Sequence, residues 1–385
     1  MKTNKIFYGK QSIDSNDIRE VTKSLKNQLI TSGEYVKKFE NLCTKKLRSK
    51  FAFSCNSGTS AIYLAYLAIN LQKDDVVVMP SVNFIAAANI ARSLQAKVYF
   101  ADVNYKTGQI TPETISACIK FNKIKKVKVL ITMYMGGYPR SVKQFHDLKK
   151  SLKCYLIEDA CHAFGSSYKL ENIKYMIGSC SHSDVSTFSF HPLKSITTGE
   201  GGLITTNNKL LAERIKLFRS HGINKSNLHW KYSVDSVGYN FRLSDINCSL
   251  GFSQLKKIEK FLEKRKKIFN IYKKEFKSSK IIEIIEPEKN TNSAYHLVIA
   301  LINFNKLKTT KDKFLQKLIQ KKIYCQYHYT PIFYFKNFLL KNKMQFKNSK
   351  QYYKDAVSLP IYYDLKLKDA NKIIKEIKKV LEIKT

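Results

Sequence analysis

Between about residues 50 and 250, short apolar runs rich in β-branched residues alternate with longer amphipathic stretches. The short runs are VVVMP (Val76 to Pro80), KVYFADV (Lys97 to Val103), VKVLITMY (Val127 to Tyr134), CYLIED (Cys154 to Asp159), DVSTFSF (Asp184 to Phe190) and GGLITT (Gly201 to Thr206). Helix-length segments separate the first four. Continuous apolar runs spaced in this way describe a mostly parallel sheet covered on both faces, so this part reads as an α/β domain. From Leu255 onward the period changes. Leu255, Ile258, Leu262, Phe269, Tyr272 and Phe276 recur at helical steps, interrupted by Arg265, and predict one long helix with one apolar face and a lysine-coated back. After it, two strand-like runs (Ile281 to Ile285, His296 to Ile302) and two helix-like ones (Lys311 to Lys322, Asn371 to Ile383) predict a smaller α+β domain. The expected division is 1–250, an N-terminal arm and large α/β domain, and 251–385, a linking helix and small domain; 385 residues suit two domains.

Charge changes this picture less than its size suggests. The chain has 68 Lys and Arg against 30 Asp and Glu, a formal net charge of +38. A hydrophobic fraction of 44% excludes a disordered polycation. The cations are spread over the whole chain, mostly as Lys among many Ile and Asn, whereas a nucleic-acid footprint concentrates them on one element. A basic nucleic-acid-binding or regulatory protein is therefore the weaker reading, and no specific nucleic acid is expected. The eight Cys form no C-x-x-C and read as reduced thiols. Neither an apolar leader run nor a stretch of about 18 apolar residues occurs, so the expected setting is the cytoplasm, without a membrane.

Three segments carry candidate chemistry. NSGTSA (Asn56 to Ala61) opens a helical stretch with small and hydroxyl residues, and a helix start of that kind can hold a phosphate or serve merely as an N-cap. IEDACHAFG (Ile157 to Gly165) puts Asp159 at the C-terminal end of an apolar strand, the sheet edge where open α/β folds place ligands; Glu158 should point to the other face. STFSFHPLKSITTGEGG (Ser186 to Gly202) ends a strand in a His-Pro turn, then Lys194, then a Gly-rich return. A lone loop lysine is ordinarily a solvated cation. Here a phosphate cradle, a strand-end acid and a loop lysine occur together, and pyridoxal phosphate uses all three: the amine for a Schiff base, the carboxylate for the pyridine nitrogen, the helix start for the phosphate.

The run SFHPLKSITTGEGG, with RSHGI (Arg219 to Ile223), VGYNFRLSDINCSLGFSQL (Val237 to Leu255) and YHYTPI (Tyr327 to Ile332), resembles the nucleotide-sugar aminotransferases of the DegT/DnrJ/EryC1/StrS family, and the resemblance runs from about Phe7 to the C-terminus. It implies fold type I, the aspartate aminotransferase arrangement, with a mostly parallel seven-stranded sheet and a smaller C-terminal α+β domain. It further implies that Lys194 binds pyridoxal 5'-phosphate covalently and moves the proton, and that Asp159 pairs with the pyridine nitrogen. Thr59, Ser60 and Ser189 are expected to hold the phosphate, Phe84 to stack on the ring, and Asn240 to reach the cofactor of a neighbouring subunit in a homodimer with shared active sites. Tyr8, Arg242 and His328 match positions that face the substrate; His162 and His191 flank the two key residues. No metal is expected. Within the family the pattern is nearest to the branch that uses glutamate to aminate C4 of a UDP-linked 4-keto-6-deoxy-N-acetylhexosamine for pseudaminic acid. A bacillosamine- or perosamine-type aminotransferase would share every cofactor residue. Some relatives with His in place of the lysine are dehydratases, and Lys194 favours amino transfer.

Overall fold

The computed structural model describes residues 5–228, 230–307, 309–339 and 345–383. Seven strands form the central sheet, in the spatial order Phe51–Cys55, Gly202–Thr206, Val185–Ser189, Tyr155–Asp159, Val129–Met133, Val76–Pro80, Lys97–Ala101. Gly202–Thr206 is antiparallel to both neighbours, and the remaining pairs are parallel. Side chains alternate between two cores. Val77, Val129, Ile131 and Ile157 pack on one face, with helices Gly58–Ala68 and Ala86–Ser93, while Val78, Leu130 and Leu156 pack on the other. This two-sided burial is why the strands read as continuous apolar runs. It also sends Glu158 away from Asp159: Glu158 accepts hydrogen bonds from Tyr134 Oη at 2.7 Å and from Ser186 Oγ.

The single long helix expected from Leu255 is two helices, Asp245–Lys256 and Ile258–Phe276, divided at Lys257. The apolar spacing runs across the break because Leu255, Ile258, Phe261 and Leu262 all face the same buried cluster. Residue 250 accordingly falls inside the first helix. Beyond the second lies an antiparallel sheet of Ile282–Ile284, Val298–Ile302 and Ala356–Leu359, accompanied by helices Lys311–Gln320 and Leu367–Val380. The N-terminal arm does not stay with the large sheet. Ile6–Phe7 pairs parallel with Ile323–Tyr324, and Ile361 N donates to Tyr8 O at 3.0 Å, which fixes where Tyr8 enters the molecule.

A hairpin, Ser167–Leu170 with Ile173–Met176, turns through Glu171 and Asn172, both at positive φ (48° and 64°) as a two-residue turn of this hand requires, and is joined by Thr291–Asn292. None of the eight cysteines is in a disulfide. Among the described residues no helix is long and apolar enough to cross a membrane.

Candidate active site

Strand register gathers the chemistry on one sheet edge. Gly202 sits opposite both Cys55 and Ser189, and Asp159 opposite Thr187, so the ends of four strands open onto a cleft of about 350 Å³. Its floor is the start of helix Gly58–Ala68. Ser57 caps that helix by accepting from Ser60 N at 3.0 Å, leaving the amides of Gly58 and Thr59 without intrahelical acceptors. Gly58 is needed for close approach: a Cβ there would lie 2.9 Å from Ser189 Cβ. Ser57, Gly58, Thr59 and Ser189 all line the cleft. Ser60 does not; it is buried with its hydroxyl turned back to Ser57 and Asn56.

Asp159 is 4% exposed, with one oxygen 3.3 Å from Asn83 Nδ2 and the other 3.3 Å from Cys161 N. Lys194 enters from the opposite wall. Its loop is closed by Lys194 N to His191 O at 2.9 Å and Thr198 N to Phe190 O at 3.1 Å, and it returns through Gly199 at φ +80°, a conformation suited to glycine. Among the described residues no hydrogen bond or ion pair engages the Lys194 amine. Burial lowers its pKa from the usual lysine value, opposed by Cys161 and Asp159.

The fourth wall is aromatic. His162 and His296 lie with ring centroids 4.2 Å apart, and Tyr329 Oη is 2.9 Å from His162 Nε2. His328 is tied by Nδ1 to Ser358 Oγ at 2.8 Å, and the Tyr8 ring lies 5.4 Å from it. Burial, and then the charge of Lys194, hold all three imidazoles neutral, with the His328 pKa lowered to about 3. Phe84 is 54% exposed at the mouth, 6.0 Å from the Tyr329 ring. His191 also lines the cleft.

Besides Ser60, two residues named from the resemblance lie outside it: Asn240, expected at the cofactor of a neighbouring subunit, and Arg242. Asn240 is exposed, its carbonyl 3.3 Å from Asn56 Nδ2, and Arg242 donates to Ser220 Oγ at 2.8 Å. Conversely, Asn83, Cys161, His296 and Tyr329 line the cleft without having been singled out. Cys161 lies inside IEDACHAFG, Asn83 next to Phe84 and Tyr329 inside YHYTPI, beside His328; His296 comes from a distant segment and had no local signal.

The residues present suit pyridoxal phosphate. They supply a helix start with free amides and with hydroxyls, a buried carboxylate and an uncommitted amine, and among the described residues the buried Nδ1 atoms of His162 and His296 have no partner.

The model of the DegT/DnrJ/EryC1/StrS aminotransferase family matches residues 11–378. The chain is 36% identical over 378 residues, 98% of each chain, to the UDP-4-amino-4,6-dideoxy-N-acetyl-beta-L-altrosamine transaminase of Campylobacter jejuni strain 81-176. It is 32% identical over 75% of its length, and 76% of the relative's, to the GDP-perosamine synthase of Escherichia coli O157:H7. Among solved structures, Helicobacter pylori PseC, an aminotransferase involved in the biosynthesis of pseudoaminic acid, superposes with a TM-score of 0.90 at 28% identity, covering 98% of this chain and 100% of that one.

Proposed function

The chain belongs to the DegT/DnrJ/EryC1/StrS aminotransferase family, and from that membership we propose that it transfers the amino group of glutamate to C4 of a UDP-linked 4-keto-6-deoxy-N-acetylhexosamine on the way to pseudaminic acid. It is a pyridoxal-phosphate-dependent nucleotide-sugar aminotransferase of fold type I. The observation that carries the substrate is the 36% identity over 98% of both chains with the amino-altrosamine transaminase.

Pyridoxal phosphate, when bound, supplies an electrophilic carbon for the amine and a ring that accepts the electron pair left by a departing proton. The chain's residues do the rest. The amides of Gly58 and Thr59, with the hydroxyls of Ser57, Thr59 and Ser189, would hold the phosphate at the positive end of the helix. Asp159, fixed by Asn83 and the Cys161 amide, would keep the pyridine nitrogen protonated, and Phe84 would cover the ring. Lys194 would carry the covalent link and, once free, take a proton from the donor's Cα and return one to the sugar's C4. A lysine whose burial favours the neutral amine is suited to that exchange. Tyr8 and His328 would face the sugar as polar but uncharged groups.

The cleft of one chain lacks cations for a nucleotide diphosphate: Lys194 is the only Lys or Arg among the described lining residues, beside Asp159 and Glu200. Asn240 and Arg242 follow an antiparallel pair, Ile223–Lys225 and Tyr232–Val234, with exposed Tyr232, Val234 and Val237. Apolar groups so placed suit a covered surface. A homodimer, each copy lending this segment to the other's cleft, would cover them and bring the cation.

The test is reconstitution with pyridoxal phosphate, spectroscopy with glutamate, borohydride trapping and turnover of a panel of UDP-, dTDP- and GDP-linked 4-keto sugars. The expected results are an absorbance band that moves on adding glutamate, label on the Lys194 peptide and preference for the UDP-linked N-acetylated sugar. Colourless protein or label on another lysine refutes the site. Preference for a GDP-linked sugar refutes the substrate in favour of the perosamine type.

A further inference from the structure

Arg265 breaks the apolar face of helix Ile258–Phe276, yet it is only 3% exposed. No carboxylate within ion-pair distance compensates it among the described residues. Instead Nη1 approaches three backbone carbonyls, Ile361 O at 3.2 Å, His296 O at 3.3 Å and Tyr295 O at 3.5 Å, while Nε has no partner among the described residues. Burial lowers its pKa to about 10, so it remains a cation at neutral pH. A buried cation without a counter-ion is expensive, and apolar residues of similar size commonly replace buried charges without loss. Core packing alone therefore gives no reason for arginine here.

Its position does. The carbonyls of Tyr295 and His296 belong to an irregular segment, with Tyr295 at φ +46°, that leads into strand Val298–Ile302. That segment delivers the His296 ring onto His162, which Tyr329 holds from the other side. The amide of His296 is fixed separately, donating to Gly136 O at 2.9 Å. Arg265 and Lys194 also border the same small void of about 10 Å³, so the guanidinium stands behind the lysine loop.

We propose that Arg265 is a positioning residue of this aminotransferase: by clamping the carbonyls of Tyr295, His296 and Ile361 it fixes the His296 ring on His162 in the cofactor-facing wall of the cleft. One nitrogen, Nη1, reaches carbonyls from two segments, its direction set by the rigid guanidinium plane, whereas a lysine ammonium sits on a rotatable stem and holds no such fixed direction. The proposal rests on the reading that this cleft holds pyridoxal phosphate.

The experiment compares R265K, R265M, H296A and the double variant R265K/H296A, each reconstituted with pyridoxal phosphate. It measures the circular dichroism of the cofactor's visible band, cofactor affinity, kcat and KM for both substrates, and thermal stability. R265K keeps the buried charge and should fold even where R265M does not. The expected result is that R265K and H296A both load cofactor on Lys194 but show the same altered visible dichroism. Each should lose at least about tenfold in kcat with KM changed less than threefold, and the double variant should be no slower than H296A, since residues acting as one unit are not additive. Unchanged dichroism and kcat in R265K overturn the proposal, as do losses that multiply in the double variant or an H296A enzyme with the wild-type spectrum. A wild-type protein that takes up no cofactor refutes instead the underlying reading of the site.

Discussion

Replacing Gly58 with alanine tests whether the helix start is a phosphate seat or only a well-packed junction. The added Cβ would lie 2.9 Å from Ser189 Cβ and 3.4 Å from Cys161 Sγ. Carbon atoms in contact settle at about 3.5–4.0 Å, so the helix start and the strand end must part by about 0.6 Å, and no rotamer change relieves a clash between two Cβ atoms. Two stability effects then oppose each other. Overpacking costs about 1–3 kcal/mol, whereas Gly to Ala gains up to about 1 kcal/mol in a helix interior and less at its first residue. Overpacking wins by about 1 kcal/mol, enough for a drop of only about 1 °C in the unfolding midpoint of a chain this long. Cofactor binding should suffer more. The Gly58 and Thr59 amides must converge with the Ser189 hydroxyl on one phosphate, and a misplacement of about 1 Å can cost about 10²-fold. A shift of about 0.6 Å then predicts affinity weaker by about tenfold. The assay is titration of apoprotein with pyridoxal phosphate at the visible band, beside a melt of the apoprotein. Gly9→Ala is the control, because its Cβ would meet Leu193 Cδ2 at an ordinary 3.5 Å. G58A protein that binds cofactor as tightly as wild type would refute the cradle.

Asp159→Asn keeps the shape and removes the charge. The variant should still bind the cofactor but turn over about 10²- to 10³-fold more slowly, read as single-turnover amino transfer from glutamate; turnover within threefold of wild type would remove Asp159 from the mechanism. Away from the cleft, the buried Asp245 carboxylate accepts from the amides of Gly33 at 2.6 Å and Tyr35 at 2.7 Å, at the start of helix Glu34–Leu47. Asp245→Asn should cost about 1.5–3 kcal/mol in denaturant unfolding of the apoprotein, the range for hydrogen bonds to a charged group, and an unchanged midpoint would show that the carboxylate is dispensable. The three neutral histidines set an acid limit. Their folded pKa values are depressed, with His328 at about 3, so below the unfolded value near 6.5 the unfolded chain binds more protons and stability falls with pH. Each contributes a loss on the order of 1 kcal/mol between pH 7.5 and 5.5, a few kcal/mol together; His328→Gln should remove about a third of it, and a flat stability profile over that range would contradict the buried neutral wall.

How much of this was legible in the sequence depends on whether a feature is local. The sheet could be read because both its faces are buried, so six of its seven strands announce themselves as apolar runs, Phe51–Cys55 being the exception. The place of Asp159 could be read because it closes such a run at the ligand-bearing edge, and that of Lys194 because it follows one through a short His-Pro turn. The break at Lys257 could not, since Leu255 and Ile258 serve one cluster from two helices and the apolar spacing never falters. Ser60 was expected at the phosphate from the family resemblance, but helical geometry turns adjacent residues about 100° apart, and its hydroxyl turns back to Ser57 and Asn56. The histidine wall was legible only in part: His328 and His162 sit in motifs that could be read, but their meeting with His296 could not be. His162, His296 and His328 meet only because the antiparallel sheet beyond helix Ile258–Phe276 folds back over the large one, and a single histidine in HLVIALI looks like any strand residue.

The same contrast bears on the charge. Over the surface the chain carries a large excess of lysine, while inside the cleft the fold suppresses positive charge: the Lys194 ammonium is disfavoured by burial and the imidazoles stay neutral. Both tendencies follow from solvation, because a lysine in water keeps its proton at almost no cost and a buried one does not. An amine that must attack a carbonyl and ferry protons needs its lone pair, so the useful lysine is the one the fold keeps from behaving like the others. Arg265 is the exception that supports the rule. It stays charged within the protein because guanidinium holds its proton more tightly than any lysine, and it spends that charge on backbone carbonyls behind the cleft, adding no cation to the cleft lining.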